Sequence, residues 1–513
     1  MSEFVELPNT WAFAPLSSIA DVNPRSFCPL PSAISQPVHF VPMSAVTEEF
    51  GGIDISARRP LGDVQKGYTS FLTNDVLLAK ITPCMENGKL ALVPPLQDHL
   101  AFGSTEFHVL RAKDQVQPSW LAYFLSQSAF RRLARQNMTG SAGQLRVATT
   151  WLSDALIPVA PATEQTRIVA KLEELLSDLD AGVAELKAAQ KKLAQYRQSL
   201  LKAAVEGALT AEWRTQHQPL ETGAQLLQRI LQERRTRWEA KQLARFKEQG
   251  KTPPKDWQKK YPEPVQPDTT GLPELPQGWV WATIDQIAQV GTGVTPLRSK
   301  SAYFNQGTIP WVTSGALNSE TVTSATELVT ELALKECRLE LYPVGSLLVA
   351  MYGEGKTRGK CSELLMHATI NQAIAAIVLE SAAQLSKAFL KAFLLDSYER
   401  MRSQASGGVQ PNLNLQIVKG IVLPLPPHAE QAEITQLLDG QFDQISQQQI
   451  AVEVSLKQSA AQRQNILRAA FSGQLVPQDP ADEPASALLA RIRAERAAQG
   501  AQPRKRRAAK ETS

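Results

Sequence analysis

Residues 350–357 read AMYGEGKT and follow an apolar run, Ser346 to Val349. A small residue, four others and then Gly-Lys-Thr is the outline of a loop that cradles phosphates with backbone N–H groups and a lysine. Such a loop requires a helix whose N-terminus faces the phosphates. Here Thr357 is followed by Arg358-Gly-Lys-Cys361 and a second apolar run, the pattern of a hairpin returning to a strand. No second acidic motif for magnesium accompanies it. An ATP-dependent enzyme using Gly355, Lys356 and Thr357 is thus the alternative reading. In the preferred one, Lys356, Arg358 and Lys360 occupy a glycine-punctuated loop tip, where they can hold phosphates or read guanine edges. A plain solvated hairpin would carry the same residues. A second loop, SGGVQPNLN (Ser406 to Asn414), has a counterpart in TGSAGQLRVATT (Thr139 to Thr150). Gln410, Asn412, Asn414, Gln144 and Arg146 suit base edges, although Asn and Gln in glycine-rich turns also satisfy nearby backbone groups.

Other chemistries find little support. Cys28, Cys84, Cys337 and Cys361 form no close pair and the six histidines are scattered, so no zinc spacing exists and no metal is expected. Reduced, buried thiols of a cytoplasmic protein are the expectation. No nucleophile triad or hydrolytic carboxylate pair stands out. The chain has 513 residues, 43% hydrophobic and 20% charged, which suits two or more domains of a globular protein. It has no run of eighteen apolar residues, and MSEFVELPNT lacks the features of a secretion signal. Net charge is only +4, but it is unevenly spread. From Arg229 to Lys260 there are eleven Lys/Arg against four Asp/Glu, and from Arg491 to Ser513 eight against two. Such clusters can neutralise phosphates, or can be solvated faces.

The elements that would position these loops are written twice. IPVAPATEQTRIVAKLEELL, from Ile157, matches LPLPPHAEQAEITQLLDGQF, from Leu423, at an offset of 266 residues. Pro158, Pro161, Glu164, Gln165, Ile168 and Leu172 meet Pro424, Pro427, Glu430, Gln431, Ile434 and Leu438. The register continues without a gap to RQSLLKAAVEGAL (Arg197 to Leu209) against RQNILRAAFSGQL (Arg463 to Leu475). GAQLLQRILQER, from Gly223, resembles ASALLARIRAER, from Ala485, and LPNTWAFAPLSSIADV, from Leu7, resembles LPQGWVWATIDQIAQV, from Leu275. Between these anchors, about 140 residues in each half agree only in hydrophobic outline. Each such segment reads as α/β with short strands, for example VHFVPMSAV, DVLLAKI, KLALV and EFHVLRA in the first and GSLLVAMY and AIAAIVL in the second. A helix follows in each: SWLAYFLSQSAFRRLARQ and KAFLKAFLLDSYERMRSQ.

The repeated parts predict long helices. Leu172, Leu179, Leu186, Leu193 and Leu200 recur every seven residues, with Leu175, Gly182, Ala189, Tyr196 and Ala203 between them as d positions. The second copy offers Leu438, Ile445, Val452, Ser459 and Ile466 as a positions. Each helix has roughly 40 to 45 residues and a length on the order of 60 Å. Packed against each other and antiparallel, they would act as a ruler between two recognition heads.

The doubled PLPP…EQ…I…L entry, the long helix and the R-Q-x-[IL]-L-x-A-A-[FV]-x-G-x-L ending resemble the specificity subunit of type I DNA restriction–modification enzymes. MYGEGKTRGK, ATINQAIAAI and LPELPQGWVW resemble that family's second recognition domain. The resemblance implies a mixed α/β (α+β) fold with two tandem target recognition domains separated by two long antiparallel coiled-coil helices, a pseudo-twofold repeat. The domains would be residues 1–157 and 275–423 for recognition, 158–210 and 424–476 for the helices, 211–274 for a basic helical linker, and 477–513 for a short helix and basic tail. It further implies double-stranded DNA as ligand, a bipartite target, and two adenine-N6 methyltransferase subunits docked on the helices, with restriction subunits beyond them. S-adenosylmethionine, ATP and magnesium would sit on those partners. VPPL, TPPK and LPPH lack the acid or amide that an adenine methyltransferase places before its two prolines, consistent with a non-catalytic subunit. A coiled-coil scaffold without sequence-specific DNA contact is the remaining rival.

Overall fold

The computed structural model describes residues 6–24, 34–97, 100–141, 143–352, 357–379, 386–398 and 413–500. The fold is mixed α/β and divides into two compact units, residues 1–187 with 453–513, and residues 188–452. Two helices of 44 residues, Ala162–Val205 and His428–Phe471, are the repeated elements, and each crosses the unit boundary near its middle.

In the first unit, strands Ala20–Val22, Phe107–Ala112, Val76–Ala79 and Leu90–Leu92 form an antiparallel sheet in that order. A second sheet runs Arg58–Pro60, Pro37–Val41, Leu100–Gly103, Thr69–Leu72, with its central pair parallel. Phe71, Leu77, Phe107 and Val109 are buried in one core, and Trp120 and Leu121 in another. The unit's beginning and end close on each other as strands Ala12–Pro15 and Leu156–Val159, paired Ala12 to Val159.

The second unit repeats this plan. Strands Ala288–Thr292, Ile374–Leu379, Leu347–Ala350 and Cys361–Leu364 follow the same order, with Thr321–Val322 added at the edge. Glu327–Val329, Ile309–Val312 and Thr369–Ile370 make the smaller sheet, and Val280–Thr283 closes on Val422–Leu425. The matching central strands, Val76–Ala79 and Leu347–Ala350, are buried at every position in both units.

Several expectations need correction. The stretch from Ser119 is two helices, Pro118–Ser126 and Ser128–Gln136, broken at an extended Gln127. Within residues 211–274, expected as a basic helical linker, Leu226, Leu227 and Ile230 of helix Gly223–Glu248 lie in the second unit's core. Likewise Leu488, Leu489 and Ile492 of helix Ala485–Gly500 lie in the core of the first. Of the thiols, Cys361 is buried while Cys84 and Cys337 are only half-buried; Cys28 lies outside the described residues. Burial pushes the Cys361 thiol up to about 12.

The helix seam is also displaced. Leu172, Leu200, Leu438 and Ile445 are buried as expected, and Leu179, Leu186, Leu193, Val452 and Ile466 are half-buried. Of the d positions, Leu175, Ala189 and Ala203 are half-buried, Gly182 is exposed and Tyr196 is 47% exposed. Towards the helix ends the residue one step later is the buried one, at Leu176, Ala204 and Ala470. No residue is buried between Leu176 and Leu200, or between Ile445 and Leu467. The seam is fully buried only towards its ends; in its middle Leu179, Leu186, Leu193 and Val452 are half-buried.

Candidate DNA-recognition framework

Each unit contains the start of one long helix and the end of the other. In the first, Ile168, Leu172 and Leu176 share a core with Leu467, Ala470 and Phe471, and Arg463 donates to Asp180. In the second, Leu200, Leu201 and Ala204 share a core with Ile434, Leu438 and Ile445, and the Tyr196 hydroxyl donates to Gln441 Oε1 at 3.1 Å. Rising numbers on one helix meet falling numbers on the other, so the pairing is antiparallel.

The repeated Glu-Gln has the same task in both units. The Trp11 indole N–H donates to Glu164 Oε2 at 2.9 Å, and the Trp279 indole N–H to Glu430 Oε2 at 2.8 Å. Gln165 Nε2 donates to the Ala160 carbonyl and its Oε1 accepts from Gln117 N; Gln431 Nε2 donates to the Pro426 carbonyl and its Oε1 accepts from Ser386 N. Each pair thereby bolts a globular domain to the first turn of its helix. Desolvation raises the Glu164 carboxyl above the ordinary glutamate value, although Trp11 and Gln478 oppose this by donating to it. Thr210 Oγ1 donates to Glu430 Oε1 at 2.7 Å.

The terminal signature closes the other end. Gln198 Nε2 donates to Asp396, and Gln464 Oε1 accepts from Ser128 N, each reaching a helix of the globular domain in its unit. Gly207 and Gly473 have φ of 75° and 73°, and a Cβ on either would run into Pro276 or Pro8 of the Leu-Pro entry. The close approach and the left-handed backbone both require glycine. Arg214 donates to the Gly207 carbonyl and so covers the negative end of the first long helix.

On these scaffolds the described residues beside the two loops pair in each unit, in the first by Val147 N donating to the Lys80 carbonyl at 2.9 Å. Thr82 N donates to the Leu145 carbonyl at 3.0 Å, and Leu145 N to Thr82 Oγ1. Leu413 N donates to the Met351 carbonyl at 3.2 Å. The strand Leu347–Ala350 pairs antiparallel with Cys361–Leu364, and the described residues from Thr357 lead into that second strand and into no helix.

Residues 276–455 match the family model described as the type I restriction modification DNA specificity domain. The chain is a relative of type I restriction–modification specificity subunits. It is 30% identical over 324 residues to the EcoAI specificity subunit of Escherichia coli, covering 55% of this chain and 51% of that one. It is 30% identical over 334 residues to the EcoEI specificity subunit of Escherichia coli, covering 57% and 53%. The chain thus spans about half the length of these curated relatives. A solved structure concerned with complex assembly and conformational transition of the type I R-M system shares the fold, with TM-score 0.65 and 20% identity over 92% of this chain and all of that one.

Within this specificity-subunit fold, the candidate DNA-reading side chains have different situations. Gln144 is exposed. Arg146 is held by Glu106, with Nη2 to Oε1 at 2.9 Å and Nε to Oε2 at 3.0 Å, and the pair keeps the Glu106 carboxyl below its usual range. Lys360 Nζ donates to Asn318 Oδ1 at 2.9 Å, while Arg358 is half-buried. Asn414 accepts from Ile417 N at 2.9 Å and caps helix Leu415–Lys419, the local backbone role its type allows. Lys356, Gln410 and Asn412 lie outside the described residues. Sequence reading missed Glu106 as the partner of Arg146, 40 residues away, and gave Glu164 and Glu430 no partners. Their exact repetition beside equally repeated tryptophans was the available signal. Among the described residues no group of His, Cys, Asp and Glu could hold a metal ion, and no helix is long and apolar enough to cross a membrane.

Proposed function

We propose that this chain is the sequence-specific DNA-recognition and assembly subunit of a type I restriction–modification complex. Each unit reads one half of a bipartite, asymmetric duplex target through its pair of converging loops. The helix pair sets the interval between the halves and docks two adenine-N6 methyltransferase subunits, with ATP-dependent restriction subunits joined through them. S-adenosylmethionine, ATP and magnesium belong to those partners, and the extruded adenine needs a pocket on the methyltransferase. The chain itself performs recognition and no covalent chemistry.

One observation carries this reading: two units of diverged sequence and common topology present the same loop junction from repeated helix bolts. Diverged loops on a constant frame are what reading two different half-sites requires. The rival ATP-dependent enzyme is disfavoured because the described residues from Thr357 onward enter strand Cys361–Leu364, where a phosphate loop would need a helix. The test is to express the chain with its methyltransferase partner in a host lacking other methylation and to sequence the methylome. A split motif with methylated adenine in both halves, lost when this chain is omitted, is expected. Methylation at a continuous motif, or an unchanged pattern without the chain, would refute the proposal.

A further inference from the structure

The basic stretch between the units' repeated elements is folded. Helix Gly223–Glu248 begins with a capping box in which Thr222 and Gln225 serve each other's backbone, and its first turns enter the core. From Gln232 to Glu248 no residue is buried, and Trp238, Leu243 and Phe246 are the only large apolar side chains. Such a helix needs support from outside its own sequence. The chain turns at Gly250, with φ of 63°, and runs back along the helix. Trp257 stacks on Trp238 at 5.8 Å and 20°, Tyr261 meets Trp238 edge-on at 5.4 Å, and Phe246 meets Trp257 edge-on at 6.1 Å. Both strands of this arm end at one carboxylate: Arg234 reaches Asp285, and Val265 N donates to Asp285 Oδ2 at 3.1 Å.

The arm's charge is unbalanced. Lys241, Arg245, Lys247, Lys251, Lys255 and Lys260 are exposed and have no carboxylate partner among the described residues. Of the four nearby acids, Glu233 is engaged with Arg229, Glu239 with Arg235 and Asp256 with Lys259, which leaves Glu248 as the one exposed acid against these cations. Arg237, Lys241 and Arg245 fall four residues apart on one face, a spacing at which like charges repel. The aromatic strap holds this row together. Its rings pack on one another and are half-buried or buried, and Leu243 is the one large apolar side chain that is exposed among the described residues 232–262. A protein partner would use outward aromatic anchors, and single-stranded nucleic acid would use outward stacking platforms. A row of hydrated cations without either fits the phosphates of duplex DNA.

We propose that residues 232–262 are a duplex-gripping arm that binds DNA phosphates without reading sequence. This rests on the DNA-recognition reading above and adds an affinity element separate from the two loop junctions. The test uses the full chain in complex with its methyltransferase partner. Kd is measured across a salt series for a duplex bearing the methylated motif and for a scrambled duplex. In a variant carrying Lys241→Gln, Lys247→Gln, Lys251→Gln and Lys255→Gln, the slope of log K against log salt becomes shallower by about 0.9 per lost contact, up to about 3.6. Both duplexes weaken by the same factor, leaving the preference between them unchanged. Trp257→Ala, which keeps every charge but frees the strap, flattens the slope in the same direction. An unchanged slope overturns the proposal. So does a changed preference between duplexes, or a loss confined to assembly with the methyltransferase, which would make the arm a protein dock. A wild-type complex with no preference between duplexes would instead refute the DNA-recognition reading, while its slope would still test the arm.

Discussion

Glu430→Ala removes one carboxylate and strands three groups. Trp279 Nε1 and Thr210 Oγ1 lose their acceptors at 2.8 and 2.7 Å, and Arg214 Nε, 3.4 Å away, loses its counter-charge. Glu430 is 1% exposed, so water does not readily replace it. Each buried donor left unsatisfied costs about 1–3 kcal/mol. Arg214 retains the Gly207 carbonyl, which limits its share. A loss of about 3–5 kcal/mol follows, a large part of the 5–15 kcal/mol that typically holds a domain folded. Glu430→Gln keeps two acceptor positions on one oxygen and should lose roughly half as much. Because a two-unit chain need not unfold in one step, the assay is hydrogen exchange read by mass spectrometry, peptide by peptide. Protection should fall in residues 188–452, first in helix Lys387–Asp396 and the opening turns of His428–Phe471, and stay unchanged in residues 6–187. Glu430→Ala within about 0.5 kcal/mol of wild type, the ordinary range for a surface change, would refute the bolt.

Gly207→Ala should cost about 1–3 kcal/mol from backbone strain alone, more with the Pro276 overlap. Gly182→Ala, in open space within a helix, should stabilise by about 0.5–1 kcal/mol; thermal melts of the two variants separate the cases. Arg167 and Thr163 hold Asp482 below the ordinary aspartate range, so this contact contributes stability above that range and loses it as pH falls through the depressed value. Asp482→Asn should therefore lose about 1.5 kcal/mol at neutral pH and show a flatter acid limb in melts below about pH 4. Glu164 runs the other way: its raised value gives a contribution present below the ordinary glutamate pKa and lost as pH rises through the folded one, so Glu164→Gln should remove that decline.

The two-fold plan was legible because duplication leaves an internal alignment: offset 266 located both helices, and the bolts at Glu164 and Glu430 sit at matched positions. Contacts reaching across the chain were not legible. The break at Gln127 depends on Gln464, whose side chain accepts from Ser128 N and satisfies the start of the second helix. No local signal shows that. The seam was misread because Leu175 and Leu176 are adjacent leucines, and only the partner helix selects Leu176. The strap fails the same test, since Trp238 and Trp257 stack 19 positions apart with no periodicity to link them. For the loops, residue type suggested base contact, but Arg146 and Asn414 each had a closer partner in the fold.

The most direct measurement is the methylome of a host in which residues 1–157 are replaced by the matching segment of another specificity subunit. The account predicts a new base sequence in one half of the target, with the other half and the interval unchanged. A change in both halves, or a target that stays as it was, would contradict it.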